Sequence, residues 1–130
     1  MPLVRVSLRA GKPAAYREAI LDGIYDAMRS AFDVPEEDRF MVITEHDATN
    51  FSTSKNYLGI ARSDDLVLIQ ITANNTRTTE KKKAFYRAVA DNLANNPGVR
   101  REDVFISLVE ALPENWSFGN GIAQYAKDEV

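Results

Sequence analysis

Residues 66–72 read Leu-Val-Leu-Ile-Gln-Ile-Thr and carry the strongest β-strand signal in the sequence. Nearly every residue of this run is apolar, whereas a half-buried strand is apolar at every second residue. A continuous apolar run of this length is typical of a strand that is covered on both faces of its sheet. Val104 to Val109 has the same character, so the sequence predicts at least two strands of this kind.

The stretch at 66–72 belongs to an internal repeat, because the two halves of the chain match each other at a constant separation of 65 residues, as between Val34 and Val99. The matches cover a strand, a helix and a second strand in each half. They include Leu3 with Leu68, Val4 with Ile69, Val6 with Ile71, Ala19 with Ala84, Ile24 with Val89, Asp38 with Asp103, Phe40 with Phe105, and Glu45 with Glu110. A coincidence of similar amphipathic patterns is the alternative explanation.

The repeat predicts one domain over residues 1–130, made of a duplicated β-α-β unit with halves of about 1–64 and 65–130. Crossover connections share one hand, so both helices should lie on one face of a four-stranded sheet. The predicted fold class is thus α+β with an α/β-like character, with short hairpins added. No further helix is long enough to cover the second face, and we therefore expect another copy of the chain to cover it.

The remaining elements follow from periodicity and from turn residues. Leu3 to Arg9 alternates as a strand, and residues 14–32 and 79–94 have the three- and four-residue spacing of amphipathic helices. Thr78 is a plausible N-cap for the second helix. Arg39 to Glu45 is a second strand, and Asn56 to Ala61 is an edge strand or hairpin arm. The tail at 115–121, Asn-Trp-Ser-Phe-Gly-Asn-Gly, suits a hairpin or an aromatic clamp.

Composition excludes several classes of function. The chain has 130 residues and a net charge of −3, which argues against a nucleic-acid binder with a basic face. Cysteine is absent and His46 is the single histidine, so disulfides, thiolate sites and histidine metal centres are not expected. No apolar run is long enough to span a membrane, and no leader pattern is present, so we expect a cytoplasmic protein.

Pro2 is the first residue with unusual chemistry. Initiator methionine is normally removed when proline follows, and removal would leave a rigid secondary amine at the start of a strand. An amine in that place is nucleophilic and titratable. The alternative is that Pro2 only begins the strand, one of the few strand positions that proline tolerates.

Other candidate residues have an ordinary explanation beside the functional one. Arg77 precedes a helix, where a guanidinium and backbone N–H groups can bind a carboxylate, but it could equally be a solvated residue of the first turn. Asp38 could form a surface ion pair with Arg39. Trp116 could be a core or interface aromatic, and His46 a strand-end residue without a catalytic part.

Taken together, these segments resemble the tautomerase superfamily, and in particular the branch that contains malonate semialdehyde decarboxylase. The resemblance rests on Pro2, on Asp-Val-Pro-Glu-Glu-Asp-Arg-Phe at 33–40, on Arg77 before a helix, and on the motif at 115–121. It covers the chain from Pro2 to Val130. It implies a β-α-β repeat assembled as a homotrimer, which acts on small 2-oxo or 3-oxo acids without metal or cofactor.

The resemblance also implies roles for single residues. Pro2 matches the catalytic amino-terminal proline, Arg77 the arginine that binds the substrate carboxylate, and Asp38 the aspartate of the decarboxylase site. The hydrophobic wall of the pocket is matched by Trp116, Phe118 and Tyr125, with Tyr125 standing where the decarboxylase has phenylalanine. Asn75 replaces a second arginine of the decarboxylase, which puts decarboxylation of malonate semialdehyde in doubt.

These roles support one leading function and two alternatives. The leading function is a cofactor-independent tautomerase that interconverts keto and enol forms of a small 2-oxo acid such as phenylpyruvate. The first alternative, motivated by Asp38, is a decarboxylase or hydratase of malonate semialdehyde-like or unsaturated acids. The second alternative is a non-catalytic binding protein on the same fold, although the sequence has no secretion signal or conspicuous charged patch in its favour.

Overall fold

The computed structural model describes residues 1–126 and contains four β-strands and two long helices. In chain order these are β1 (Leu3–Arg9), α1 (Ala14–Phe32), β2 (Met41–His46), β3 (Val67–Asn74), α2 (Thr79–Asn95) and β4 (Val104–Ala111). The strands form a single sheet in the order β2-β1-β3-β4. β1 pairs with β2 in parallel and β3 with β4 in parallel, while the central pair β1 and β3 is antiparallel. The predicted duplication of a β-α-β unit is confirmed.

The central strand pair shows that the two halves are related by an approximate two-fold axis. Arg5 of β1 pairs with Gln70 of β3, which is its own counterpart 65 residues further along the chain. On either side of this pair, Leu3 faces Thr72 and Ser7 faces Leu68, as a two-fold rotation requires. Because β1 and β3 are antiparallel, their amino-terminal ends lie at opposite ends of the sheet.

Both helices begin and end where local sequence favours it. α1 follows Pro13 and stops at Asp33, which adopts the left-handed conformation with φ of 55°. The Thr78 hydroxyl accepts a hydrogen bond from the backbone N–H of Lys81 at 3.2 Å, so its predicted role as N-cap is confirmed. Asn92 of α2 donates a side-chain hydrogen bond to the Gly23 carbonyl of α1 at 2.9 Å, which ties the two helices together.

The core lies between the two helices and one face of the sheet. Phe32 of α1 stacks on Phe85 of α2, with ring centroids 4.3 Å apart. The strand residues of this face alternate with exposed ones, and those that are buried are Val4, Val6, Leu8, Val67, Ile69, Ile71 and Ala73. Burying one large apolar side chain stabilises a fold by about 1.5–3 kcal/mol, so this face accounts for much of the stability of the chain.

The other face of the sheet is covered by neither helix and exposes apolar side chains. Leu3, Val42, Phe105 and Val109 all project there and are 39–49% exposed. These exposed apolar side chains on the open face account for the continuous apolar character that the sequence predicts for β3 and β4. In the isolated chain, however, only the helix-covered face is buried.

Two details differ from the sequence prediction. The strand or hairpin arm expected over Asn56 to Ala61 is wrong, because Tyr57–Gly59 forms a 3-10 turn in which Leu58 has a φ of 60°. The tail begins with another 3-10 turn, at Pro113–Asn115, and continues through turns rather than a hairpin up to residue 126. No helix in the described part of the chain is long and apolar enough to cross a membrane.

Candidate active site

A cavity of about 210 Å³ lies at the amino-terminal end of β1. Pro2 is buried beside it, and Trp116 and Phe118 of the tail form its opposite wall. Its lining is completed by Met1, Leu3, Phe40 and Ser117. The structure thus brings together three residues that the sequence singled out from the two ends of the chain. Phe40 is a wall residue that the sequence analysis did not assign, although it was one of the repeat matches.

An amine and a carboxylate meet at this cavity. The amino group of Met1 lies 3.8 Å from Oδ2 of Asp38. The other carboxylate oxygen of Asp38 is buried and accepts no hydrogen bond from the described residues. The ion pair with Arg39, the ordinary explanation for Asp38, is absent from the described residues, because Arg39 bonds Asp22 at 2.6 Å instead. Asp38 does not itself line the cavity, but its carboxylate lies beside the amine of Met1, which does.

Burial shifts the titration of both groups toward their neutral forms. It lowers the pKa of the Met1 amine, with Arg77 acting in the same direction and Asp38 in the opposite one. It raises the pKa of Asp38, against the effect of the amine and of Arg77. An amine whose pKa is lowered in this way is neutral, and so able to accept a proton, in a larger fraction of molecules than an ordinary α-amine at the same pH.

Arg77 approaches the same region from the loop before α2. Its Nη2 donates a hydrogen bond to the Phe32 carbonyl at 3.1 Å, and its guanidinium carbon lies 4.9 Å from the centroid of the Phe32 ring. These contacts fix the side chain at the carboxyl end of α1. Arg77 does not line the cavity itself, but its positive charge acts to lower the pKa of both Asp38 and the Met1 amine.

The aromatic wall is held together by side-chain contacts. Trp116 stacks on Phe118 at 5.5 Å, and Tyr125 meets Phe118 edge-on at 4.7 Å. The Trp116 indole N–H donates to Oδ1 of Asn74 at 2.8 Å, which fixes the ring against the end of β3. Asn74 is a positioning residue that sequence analysis missed. Its place at the end of a strong strand, two residues beyond the predicted limit, was the available signal.

Two other residues considered from sequence lie outside this constellation. Asn75 is exposed, its backbone N–H bonds the Ala111 carbonyl at 3.0 Å, and its side chain does not line the cavity. His46 stacks on Phe51 at 5.7 Å, at the opposite end of β2 from Phe40. Within residues 1–126, no three acidic or histidine side chains are grouped so that they could hold a metal ion.

Asp103, the repeat counterpart of Asp38, has a different environment. It is fully buried, and its carboxylate accepts hydrogen bonds from both the backbone N–H of Ser63 at 2.7 Å and the hydroxyl of Ser63 at 2.5 Å. The chain that precedes β3 therefore satisfies Asp103. Asp38 instead lies 3.8 Å from the Met1 amine, and its Oδ1 accepts no hydrogen bond from the described residues. The two repeat-related aspartates therefore differ in how fully their carboxylates are hydrogen-bonded.

The geometry combines the parts that proton transfer to or from carbon requires. A half-buried amine can exchange a proton, a guanidinium can hold an anionic group, and aromatic walls exclude water. The buried carboxylate of Asp38 adds a group that can favour the protonated amine or orient water.

Comparison with known proteins agrees with this arrangement. The sequence profile described as "Tautomerase enzyme" matches residues 38–119, and a second profile with the same description matches residues 2–60. The chain is 41% identical to the probable tautomerase YusQ of Bacillus subtilis strain 168, over 95% of this chain and 98% of that protein. It is also similar to a solved structure of malonate semialdehyde decarboxylase, with 32% identity, a TM-score of 0.89 and 95% coverage of each chain.

A more distant neighbour shares the fold. A fused 4-OT solved as a symmetric trimer has a TM-score of 0.76 at 22% identity, covering 92% of this chain and 94% of its own. The profile match over most of the chain and the full-length relative both identify the same family. The chain belongs to the tautomerase family of enzymes.

Proposed function

We propose that this enzyme interconverts the keto and enol forms of a small 2-oxo acid of the phenylpyruvate type, with the amine of Pro2 as proton carrier. The observation that carries the proposal is the amine beside Asp38 at the mouth of an apolar cavity, with a guanidinium within electrostatic reach. Removal of Met1 would transfer the terminal amine to Pro2, which already lines the cavity. An aromatic 2-oxo acid matches the walls formed by Trp116 and Phe118.

The reaction needs one base, one anion site and a dry pocket. The neutral Pro2 amine takes a proton from the carbon next to the ketone, and the electrons of that C–H bond form the enolate. Arg77 binds the substrate carboxylate and stabilises negative charge on the neighbouring oxygen. The proton then passes from the Pro2 ammonium to the enolate oxygen, and this step restores the amine.

The protonation state of Pro2 decides which chemistry the cavity favours. In the structure, burial and Arg77 both act to lower the pKa of the Met1 amine, and the same surroundings would act on the Pro2 amine that removal of Met1 leaves, which supports the role of a base. Asp38 acts against them by favouring the cation, which supports the role of an acid. The first two effects prevail, so tautomerisation is the better supported reaction.

The test compares two proline variants in an assay for ketonisation of phenylenolpyruvate. General acid–base groups contribute about 10²–10⁴-fold to a rate, so Pro2→Ala, which keeps an amine but changes its basicity and rigidity, should lower kcat/KM by at least about tenfold. Pro13→Ala, which changes an exposed proline before α1, should retain full activity. Equal rates for wild type and Pro2→Ala would refute the proposal. The intact mass of each protein establishes whether Met1 has been removed, and a fully active protein that retains Met1 would refute it as well.

A second candidate activity is decarboxylation or hydration of a 3-oxo or unsaturated acid. It is supported by the buried Asp38 carboxylate beside the amine and by the 32% identity to malonate semialdehyde decarboxylase. A carboxylate there would keep Pro2 protonated and could orient a water molecule. Carbon dioxide release from malonate semialdehyde should then disappear in Asp38→Asn. Asn75→Arg, which adds a second guanidinium to the loop of Arg77, should increase the release, and no release from any of the three proteins would reject this activity.

The assembly we propose is a homotrimer that covers the open face of the sheet. Leu3, Val42, Phe105 and Val109 expose apolar surface there, and continuous apolar strands are typical of sheets covered on both faces. The fused 4-OT of the same fold is a symmetric trimer. Sedimentation should give three times the chain mass of 14.6 kDa. Phe105→Asp should shift it toward the monomer, and a wild-type monomer at all concentrations would refute the trimer.

A further inference from the structure

A second cavity, of about 250 Å³, lies at the amino-terminal end of β3. Since β1 and β3 are antiparallel, it lies at the opposite end of the sheet from the Pro2 cavity. Its walls include Leu66, Leu68 and Phe105, together with the segment 52–62 that connects the two halves of the chain.

The second cavity is the two-fold counterpart of the first. Residues that line the two cavities correspond at the repeat separation of 65 residues, both in the strands and in the loop that closes each wall. The pairs are Met1 with Leu66, Leu3 with Leu68, Phe40 with Phe105, Ser117 with Ser52, and Phe118 with Thr53. Because most residues of the first lining have a counterpart in the second, the fold builds the second cavity in the same way as the cavity of the proposed active site.

The groups required for chemistry are absent from this second lining. Val67 occupies the position of Pro2, and its nitrogen is a peptide nitrogen inside the chain. The carboxylate of Asp103 is fully buried and bonded to Ser63. Neither a basic amine nor an open carboxylate is therefore available. A molecule in this cavity would be bound and not converted.

A cation is nevertheless present. Arg62 lines the cavity, and its Nη1 is held by the carbonyl oxygens of Tyr57 at 2.8 Å and Ile60 at 3.4 Å. Among residues 1–126, no carboxylate forms an ion pair with Arg62. Its charge is thus positioned by backbone and left without a counter-ion beside an apolar wall, an arrangement complementary to a carboxylate on an apolar body.

We propose that the second cavity is a non-catalytic binding site for a small monocarboxylate with an aromatic or branched apolar body. The body packs against Leu66, Leu68 and Phe105, and the carboxylate accepts hydrogen bonds from Arg62. The proposal does not rest on the chemistry of Pro2. It gives each chain two sites for related anions, of which one carries the terminal amine.

The test uses 3-phenylpropanoate, an unreactive single-ring carboxylate, titrated into the intact assembly with leucine methyl groups observed by NMR. Leu3 reports on the Pro2 cavity and Leu68, its repeat counterpart, on the second cavity. We expect saturable shifts at Leu68. Arg62→Gln should weaken binding at Leu68 by about tenfold, the loss expected for a charge-assisted contact, and leave Leu3 unaffected. Arg87→Gln, an exposed arginine on α2, should change neither.

Two further measurements keep the proposal open to refutation if Arg62→Gln disturbs the loop. The neutral analogue 3-phenylpropanamide should bind at Leu68 about tenfold more weakly than the acid, and Ser54→Trp, which fills the cavity from its exposed rim, should abolish the shifts. No shift at Leu68 at saturating probe would overturn the proposal, including the case in which a neighbouring copy fills the cavity. Equal affinity for acid and amide would overturn it as well. Neither result depends on turnover, so both are distinguishable from failure of the proposed enzyme activity.

Discussion

Replacing each aspartate of the repeat pair by alanine should have unequal effects on stability. Asp103→Ala removes the acceptor of two hydrogen bonds from Ser63, and a hydrogen bond to a charged group is worth about 1.5–3 kcal/mol. Because Ser63 is itself only partly buried, we take the lower value for both bonds. The 3.8 Å ion pair with Arg100 adds little, since that arginine side chain is 49% exposed. The expected loss is about 3 kcal/mol of the free energy of unfolding.

Asp38→Ala should cost almost nothing or increase stability at pH 7. One of its oxygens accepts no hydrogen bond within the described chain, and the other is 3.8 Å from the amine. The pKa of Asp38 in the folded protein lies above its ordinary value, so ionisation is less favourable in the folded state. The contribution of Asp38 to the free energy of unfolding is therefore fully present below the ordinary carboxyl pKa. It is lost as pH rises through the raised pKa of the folded protein.

Urea denaturation at pH 7 and at pH 4, at one fixed protein concentration, measures both effects. Asp103→Ala should lower the midpoint at unchanged slope. The advantage of Asp38→Ala over wild type should shrink at the lower pH. Equal losses for the two variants at pH 7 would refute the reasoning, because they would show that both carboxylates are satisfied alike.

Three further outcomes follow from contacts described above. Asn74→Ala removes the acceptor of the Trp116 indole and should lower kcat/KM for phenylenolpyruvate about fivefold, with Trp116→Phe similar, while thermal unfolding changes little. Gly23→Ala places a Cβ 2.9 Å from Leu93 Cδ2. The cost of overpacking, about 1–3 kcal/mol, should exceed the gain of about 1 kcal/mol in helix propensity, so the midpoint of urea denaturation should fall. In the pH profile of kcat/KM, the acid limb should lie below the ordinary α-amine pKa of about 7.7–8.0. In Asp38→Asn this limb should move to still lower pH, because loss of the negative charge disfavours the protonated amine. A limb that moves to higher pH would contradict the assigned roles.

The fold could be predicted because its determinants are local and are repeated. The apolar periodicity of the sequence predicted the helix at Ala14–Phe32, and Thr78 could be recognised as the N-cap of the second helix. Each residue match across the repeat supported the assignment of the equivalent element in the other half. The failure at Asn56 to Ala61 has an equally local cause. Its apolar residues suggested a strand, but Leu58 takes a left-handed conformation that strand periodicity does not reveal. The segments that lie outside the repeated β-α-β units were the least predictable.

The sequence singled out three residues that the structure brings to one cavity, but it could not predict how the nearby carboxylates are hydrogen-bonded. Pro2, Trp116 and Phe118 line one cavity, yet sequence could not show that Asp38 retains an open oxygen whereas Asp103 does not. That difference depends on the hydrogen bonds that Ser63 donates to Asp103 across 40 residues of chain, which only the three-dimensional structure shows. The role of Asn74 likewise depends on a contact across 42 residues of chain.

The antiparallel pairing of β1 with β3 has a consequence for mutational freedom. If two identical half-chains formed this sheet, each end would carry the same amine, and every substitution would act on both ends together. Joining the halves turns one of those amines into the peptide nitrogen of Val67 and separates the constraints. Substitutions that alter only the surroundings of Val67 are then free of the constraint that turnover places, in our proposal, on the surroundings of Pro2. A library of single substitutions scored for activity should therefore show more tolerated changes around Val67 than around Pro2.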